Sequence, residues 1–323
     1  MNTAMINNII IDGMSFALPL FIMAIGGIYS ERGGVTNLAL EGLQGMGAFI
    51  GALAATLAAA GGIGNDQTRI IAFLFAAVGG GLYACVHALL CIRFKANQVI
   101  SGVVINILAM ALTSFLTKAI NRTMFGAASN KFILPVSKRI TVPGISNIPV
   151  IGAFFTSVYP FEILIIIVAL VMWFILYRTT LGLRLRACGD NPHAVDAAGG
   201  DVAKVRFFGV VGSGALSGIA GMCFAYSILA KFSSDIYMGY GYLSIASYIF
   251  GNWSMLPTLA ACLIFGFARS GGYQLVKALG MPSAYSDLVM ILPYVLTLFL
   301  LVFLSKKNRS PKALGETYDK SKR

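Results

Sequence analysis

The chain has 323 residues, of which 58% are hydrophobic and only 11% are charged, whereas soluble domains carry about 25% charged residues. This composition, with a mean hydropathy of +0.81, excludes an ordinary soluble domain and indicates an integral membrane protein. The formal net charge is +12, but the excess basic residues flank apolar runs, where they set membrane orientation, and no nucleic-acid-binding motif accompanies them.

Apolar runs long enough to cross a bilayer recur along the chain and predict an all-α, polytopic membrane protein. We predict about nine transmembrane helices. Eight to ten remain open, because the seventh and eighth runs are short, meet near Asn252 and Trp253, and are equally compatible with one re-entrant hairpin. The predicted spans are residues 14–29, 38–60, 70–92, 99–116, 161–177, 207–230, 243–255, 256–268 and 288–304.

The connection between the first two predicted spans carries the densest group of polar residues. Glycines at 33–34 end the first helix, and Asn37, Glu41 and Gln44 then recur on one face of the second. A buried ionisable group costs about 2.5–3.5 kcal/mol on insertion scales, so this stripe needs partners or a function. Two interpretations stay open: Glu41 pairs with Arg32 or caps a helix near the membrane interface, or the stripe lines a substrate path.

Glycines at helical spacing predict close packing between spans. Gly47 and Gly51 lie four residues apart, as do Gly214 and Gly218. Small residues at this spacing let two helix backbones approach closely in lipid. The approach can occur inside one chain or between two chains, and we expect it inside one chain.

Amides and aromatic residues supply further candidates for a substrate path. Asn97 and Asn106 belong to the fourth predicted span, and Tyr240, Asn252 and Trp253 form a cluster late in the chain. Amides next to aromatic rings suit a flat, uncharged ligand that forms hydrogen bonds. The same residue types also mark membrane interfaces and hold helices together, which remains the alternative.

A polar, basic stretch at residues 178–206 predicts a cytoplasmic loop that contains a short helix. Asn191 and Pro192 are typical of a helix start, and glycines at 199–200 are typical of a helix end. With this loop and a basic tail at 306–323 in the cytoplasm, the N-terminus, which lacks Lys and Arg, lies outside. Residues 1–305 then form one transmembrane domain.

One segment conflicts with this orientation. Residues 117–159 become an extracytoplasmic loop although they hold five basic residues and no acidic one. Long loops follow the positive-inside rule less strictly than short ones, so the orientation is kept.

Missing motifs exclude several classes of enzyme. The sequence has no Gly-Lys dipeptide and hence no P-loop, and it has neither H-E-x-x-H nor G-x-S-x-G. The five cysteines are scattered without a C-x-x-C pair, which argues against a zinc site or a disulfide framework. His87 is interpreted as a packed histidine. We expect no metal, no cofactor and no catalytic residue in this chain, and Glu41 alone provides poorly for a proton or sodium relay.

Three stretches carry a resemblance to a known family. They are SERGGVTNLALEGLQGMGAFIGALAA at 30–55, ANQVISGVVINILA at 96–109 and LGLRLRACGDNPHAVDAAGGDV at 181–202. Together they resemble the permease subunits of bacterial ABC importers in the ribose and branched-chain amino acid group. The greatest likeness is to the shorter permease of nucleoside and simple-sugar systems, and it runs over about residues 29–267.

The resemblance implies a helical permease in the bacterial cytoplasmic membrane that works by alternating access. Its implied partners are a sister permease, ATPase subunits that hold ATP and Mg²⁺, and an extracytoplasmic substrate-binding protein or lipoprotein. The 178–206 loop would be the element that couples the permease to the ATPase. The residues that match the family pattern of this loop are Arg184, Arg186, Gly189, Asp190, Asn191, Pro192 and Gly199.

The late aromatic segment departs from the family pattern. Tyr248, Phe250 and Trp253 replace smaller or polar residues, which predicts a bulkier lining if this segment borders the path. A purine nucleoside is the preferred substrate, and a simple sugar or a flavin-like vitamin is the alternative. An ion-coupled secondary transporter and a channel remain as other classes, although the former should carry more intramembrane acids or an internal repeat.

Overall fold

Helices predominate in the computed structural model, which describes residues 3–135, 138–148, 150–282, 284–289, 291–304 and 309–320. Two short strands, β1 (Lys131–Ile133) and β2 (Lys231–Ser233), pair antiparallel. The helices are α1 (Thr3–Arg32), α2 (Leu40–Ala60), α3 (Asn65–Ala88), α4 (Gln98–Met124), α5 (Pro160–Arg178), α6 (Thr180–Asp190), α7 (Pro192–Ala197), α8 (Val202–Phe224), α9 (Tyr240–Phe250), α10 (Met255–Ala278), α11 (Ala284–Val289) and α12 (Leu292–Leu304). The prediction of an all-α membrane protein is confirmed.

Seven helices within the described ranges are long and apolar enough to cross a membrane: α1 to α5, α8 and α10. Single π-helical turns extend α3 over Leu89–Arg93 and α8 over Ala225–Leu229. The first six predicted spans correspond to α1 to α5 and α8. The predicted count of about nine is not confirmed.

The difference in count arises late in the chain. The predicted spans 243–255 and 256–268 become α9, with 11 residues, and α10, with 24 residues. At 1.5 Å per residue α9 measures about 16 Å, roughly half of a bilayer core, whereas α10 can cross it alone. The last predicted span, 288–304, yields the 13-residue α12, and residue 290 within that span lies outside the described residues.

Helix α1 lies in the interior of the bundle. It packs against α5, α8, α9 and α10, and residues 15–31 are all buried. Helices α2, α3 and α8 pack beside it through the predicted glycines. A Cβ atom added to Gly218 would meet the carbonyl oxygen of Ala76, and one added to Gly80 would meet that of Gly214. The glycine spacing therefore serves packing inside this chain.

The two ends of the bundle differ. We call the end that carries the two short helices the α6–α7 face; it consists of residues 33–36, 94–97, 179–201, 251–254 and 309–320. Contacts join these segments, such as the hydrogen bond from Gly315 N to the Gly34 carbonyl, at 3.2 Å. The opposite end carries the β1–β2 pair and residues 138–148 and 150–159. Of the predicted tail 306–323, residues 306–308 and 321–323 lie outside the described residues.

Candidate functional site

The connection between α1 and α2 folds back into the bundle. Asn37 is fully buried and donates from Nδ2 to Ser213 Oγ at 2.9 Å. Ser213 lies eleven residues along α8 from Val202, which corresponds to about 16 Å. Asn37 Oδ1 also accepts a hydrogen bond from the backbone N–H of Ala39 at 3.0 Å. Helix α2 therefore begins inside the protein and not at the α6–α7 face.

Asn106 holds the start of α2 from the neighbouring helix α4. Its Oδ1 accepts a hydrogen bond from Gly42 N at 2.7 Å, and its Nδ2 donates to the Leu38 carbonyl at 2.8 Å. The same amide nitrogen donates to Tyr242 Oη at 3.0 Å. The first N–H groups of a helix have no partner within the helix. The Asn106 amide satisfies one of them and links α2, α4 and α9.

Helix α9 also begins inside the bundle, and Glu41 holds its first turn. The carboxylate accepts hydrogen bonds from Gly239 N at 2.8 Å and from Gly241 N at 2.5 Å, and the residue is only 5% exposed. A carboxylate is favourable at a helix N-terminus, where free N–H groups and the helix dipole present partial positive charge. Glu41 thus caps a helix that begins about 200 residues later, and the cap lies inside the bundle and not near the membrane interface, where the sequence interpretation placed it.

Two more predicted residues lie close to this junction. Gln44 is fully buried, donates from Nε2 to the Ile236 carbonyl at 3.3 Å, and has no partner for Oε1 among the described residues. Tyr240 packs its ring against Phe16 and Phe224, with centroid distances of 5.1 and 4.7 Å. Five of the eight predicted path residues therefore come together at the starts of α2 and α9. We call these five the central cluster: Asn37, Glu41, Gln44, Asn106 and Tyr240.

The other three predicted path residues lie at the α6–α7 face. Asn97 caps α4, and its Oδ1 accepts hydrogen bonds from Val99 N at 3.0 Å and from Ile100 N at 3.1 Å. Asn252 and Trp253 form the turn between α9 and α10, with left-handed φ values of 52° and 53°. Sequence spacing grouped these three with the central cluster because it cannot show the end of the bundle at which a side chain lies.

Glu31 is a buried acid that the sequence analysis did not select. It is 3% exposed and accepts hydrogen bonds from Trp253 Nε1 at 2.6 Å and from Tyr248 Oη at 2.8 Å. Both aromatic rings are buried, so neither offers exposed surface for the bulky path lining that the sequence predicts. The departure of Tyr248 and Trp253 from the family pattern was the available signal, because both can donate to a buried acid.

The predicted coupling residues lie on α6 and α7 and in the turns that follow. Asn191 Oδ1 caps α7 by accepting a hydrogen bond from Ala194 N at 3.2 Å, and Pro192 takes the first helical position. Gly199 ends the helix with a φ of +78°. The predicted short helix in the 178–206 loop is therefore present. The pKa of Asp201, which caps α8, lies below its usual range because its carboxylate accepts a hydrogen bond from Lys204 N.

Helix α6 packs directly on the end of α1. Gly189 is buried, and a Cβ atom there would meet the carbonyl oxygen of Arg32. On the outer side, Arg184 and Asp190 are exposed, and the Arg186 guanidinium lies over the Tyr177 ring at 5.6 Å. The α6–α7 pair thus presents basic residues outward and contacts a central helix inward.

A polar cavity of about 290 Å³ opens at the end opposite the α6–α7 face. Its lining includes the charged residues Asp12, Arg139 and Arg269 together with three serines, none of which the sequence analysis selected. Within the described residues no group of His, Cys, Asp and Glu side chains could hold a metal ion. His87 bonds Ser101 Oγ at 2.9 Å and is buried, as a packed histidine should be.

Comparison with known proteins identifies the family. The model of the permease component of the branched-chain amino acid transport system matches residues 9–301. The chain belongs to this family. As a member of the branched-chain amino acid transport permease family, it is a membrane-spanning permease component of an ABC transporter. Membership implies ATPase and substrate-binding partners, and the match extends beyond the 29–267 range of the sequence resemblance.

Relatives within this permease family align over nearly the whole chain. The chain is 37% identical to the guanosine ABC transporter permease protein NupQ of Bacillus subtilis, with 95% of each protein covered. It is 35% identical to the nucleoside ABC transporter permease protein NupC of Lactococcus lactis, with 97% of each covered. A second guanosine permease of Bacillus subtilis, NupP, is 26% identical, with 91% of this chain and 83% of NupP covered.

Proposed function

We propose that this chain is the permease subunit of an ATP-driven importer that takes up purine nucleosides by alternating access. The observation that carries the proposal is the end-to-end similarity to two permeases whose names state guanosine and nucleoside transport. A simple sugar or a flavin-like vitamin is the alternative substrate. The family membership argues against an ion-coupled secondary transporter or a channel.

The partners in this proposal are a different sister permease, two ATPase subunits and an extracytoplasmic binding protein. Similarity to both NupQ and NupP, at 37% and 26% identity, supports a pair of homologous permeases with distinct sequences. The ATPase subunits bind ATP and Mg²⁺, and this chain needs no cofactor and carries no catalytic residue. The binding protein supplies most of the substrate selectivity.

In the proposed orientation, the α6–α7 face lies in the cytoplasm of a bacterium and the N-terminus lies outside its inner membrane. Exposed cations cluster at this face, including Lys95, Arg184 and Lys312, as the positive-inside rule requires. The ATPase then contacts α6 and α7, and the binding protein contacts the opposite end, where the polar cavity opens.

In the proposed mechanism, a displacement of α6–α7 is transmitted to the interior of the bundle. Gly189 packs against the end of α1, and α1 continues into the connection that folds back to Asn37. Glu41 then links the start of α2 to the start of α9. Because packed interfaces switch between discrete arrangements, such a chain of contacts can convert ATPase closure into an inward or outward opening.

Uptake into proteoliposomes tests the proposed function. The complete complex, with its ATPase, sister permease and binding protein, should accumulate radiolabelled guanosine when ATP is supplied, and unlabelled adenosine should compete more strongly than ribose or riboflavin. Uptake of ribose or riboflavin without uptake of guanosine would show that the substrate is a sugar or a flavin-like vitamin and not a purine nucleoside. Accumulation driven by an ion gradient in liposomes that lack the ATPase would contradict the importer class.

A further inference from the structure

Residues 309–320 cross the α6–α7 face as a segment without helix or strand, with a turn at residues 312–315, which we call the C-terminal strap. Two backbone hydrogen bonds fix its middle: Ala313 N donates to the Gly189 carbonyl at 2.8 Å, and Gly315 N donates to the Gly34 carbonyl at 3.2 Å. Ala313 is only 4% exposed. Gly189 therefore lies between the end of α1 on one side and the strap on the other.

The strap is also bonded to α8 and to the turn before α10. Arg206, which is 4% exposed, donates from Nη1 to the Glu316 carbonyl at 2.7 Å. At the other end of the strap, Arg309 N donates to Asn252 Oδ1 at 2.8 Å. These two bonds connect the strap to elements that lie more than 50 residues away in sequence.

The end of the strap packs on α6 and α7. Tyr318 contacts a small apolar cluster of Cys188, Val195 and Val202, and its ring lies 5.2 Å from that of His193. Burial among these side chains raises the pKa of the Cys188 thiol to about 11.

Two ion pairs complete the attachment of the strap. Lys320 Nζ lies 3.4 Å from Asp196 Oδ1 of α7, and Lys95 Nζ lies 3.1 Å from Asp319 Oδ2. Single exposed ion pairs add little stability. Here the Lys320 pair adds a second link to α7, and the Lys95 pair joins the strap to the connection before α4.

The sequence indicated a basic cytoplasmic tail at residues 306–323. The described part of that tail contacts α6, α7, α8, the connection that follows α1 and the turn between α9 and α10 at once. These are the elements that must move together if a force applied at α6–α7 is to reach the central cluster. A segment that bridges all of them restricts their independent movement.

We propose that the C-terminal strap is a force-transmitting element: it clamps α6–α7 to the α1–α2 connection, α8 and the α9–α10 turn, so that ATPase movement drives transport. The proposal rests on the proposed function, in which the ATPase docks at the α6–α7 face. In this proposal the strap affects how efficiently ATP hydrolysis is coupled to transport, and it does not affect membrane insertion, substrate choice or ATPase recruitment.

The test compares the complete complex with a variant that ends at residue 308, both reconstituted with all partner subunits. We expect the variant to insert, to co-purify with the ATPase and to hydrolyse ATP, while the guanosine taken up per ATP hydrolysed falls at least about fivefold, the lower end of usual coupling between sites. Thr317→Ala is the matched control, because this exposed strap residue has no side-chain contact described here and should leave the ratio unchanged.

A point variant keeps the test valid if truncation prevents accumulation of the protein. Ala313→Trp leaves the strap in the chain but cannot fit against Gly189 and Gly34, so it should lower the same ratio. Reversal of one ion pair gives a second measurement: Lys95→Asp should lower the ratio, and added Asp319→Lys should restore it.

The outcomes separate the two proposals. An uptake-to-ATP ratio equal to that of the unaltered complex in both the truncated and the Ala313→Trp proteins overturns the role of the strap and leaves the proposed function intact. Loss of ATPase binding in these variants would assign the strap to recruitment and also overturn the proposal. A full-length complex that binds no ATPase refutes the proposed function, and the strap proposal fails with it.

Discussion

At the residue scale, the buried polar side chains of this permease are bonded to backbone groups of distant segments. Glu41 of α2 accepts hydrogen bonds from N–H groups at the start of α9, and Asn106 of α4 accepts one from an N–H group at the start of α2. A buried polar group without a partner costs more than a typical hydrogen bond contributes, so these side chains fix where α2 and α9 begin. The polar stripe has a structural role whether or not substrate also contacts it.

Replacement of Glu41 tests the role of this cap. Glu41→Gln removes the negative charge at the α9 N-terminus and leaves only one oxygen to accept hydrogen bonds, so it should cost about 1–2 kcal/mol, as other lost caps do. The apparent melting temperature of the purified complex in detergent should fall. Asp66→Asn is the matched control, because Asp66 lies in the first turn of α3 but is exposed.

The Glu41 variant also separates stability from transport. If Glu41 only caps α9, uptake per folded molecule should stay close to that of the unaltered complex. An unchanged melting temperature together with lost uptake would contradict the cap and favour direct contact with substrate.

At the element scale, the helices that local sequence defines were predicted, and the helix whose start depends on a distant residue was not. The runs that became α1 to α5 and α8 were recognised because a stretch of apolar residues that spans a bilayer needs no tertiary information. Helix α9 was not recognised as a half-length helix, because its cap, Glu41, lies about 200 residues earlier in the chain. Asn97 has local partners instead, the backbone N–H groups of Val99 and Ile100 in the first turn of α4.

Close packing of α8 against α2 and α3 gives a prediction at this scale. Gly218→Ala places a methyl group against the Ala76 carbonyl, and overpacking of this kind costs about 1–3 kcal/mol. Gly212→Ala lies in the same helix with no atom within 4 Å of the added group, and alanine favours helices over glycine.

The two glycine variants should therefore have different effects on the melting temperature. Thermal unfolding of the purified complex should show a lower melting temperature for Gly218→Ala and an equal or slightly higher one for Gly212→Ala. Equal destabilisation by both variants would contradict the packing of α8 described here.

At the scale of the whole molecule, both ends of the chain are tied to one architecture. Helix α1 fills the interior, and the strap crosses the α6–α7 face and is bonded to the connection that follows α1. The sequence indicated a basic tail but not its attachment, because the partners of the strap, such as Gly34, Gly189 and Arg206, come from three distant segments. The proposed orientation has a direct consequence for accessibility, since it places the strap and the α2–α3 connection on opposite sides of the membrane.

Labelling of single cysteines tests that orientation. In a variant whose five native cysteines are replaced, Lys312→Cys and Gln67→Cys each place one thiol at an exposed position, in the strap and after the α2–α3 connection respectively. In intact spheroplasts a membrane-impermeant maleimide should label Gln67→Cys and not Lys312→Cys, and permeabilised cells should show labelling of both. The reverse pattern would place the α6–α7 face outside the cell, where no ATP is available to drive an ATPase, and would contradict the proposed function together with the orientation.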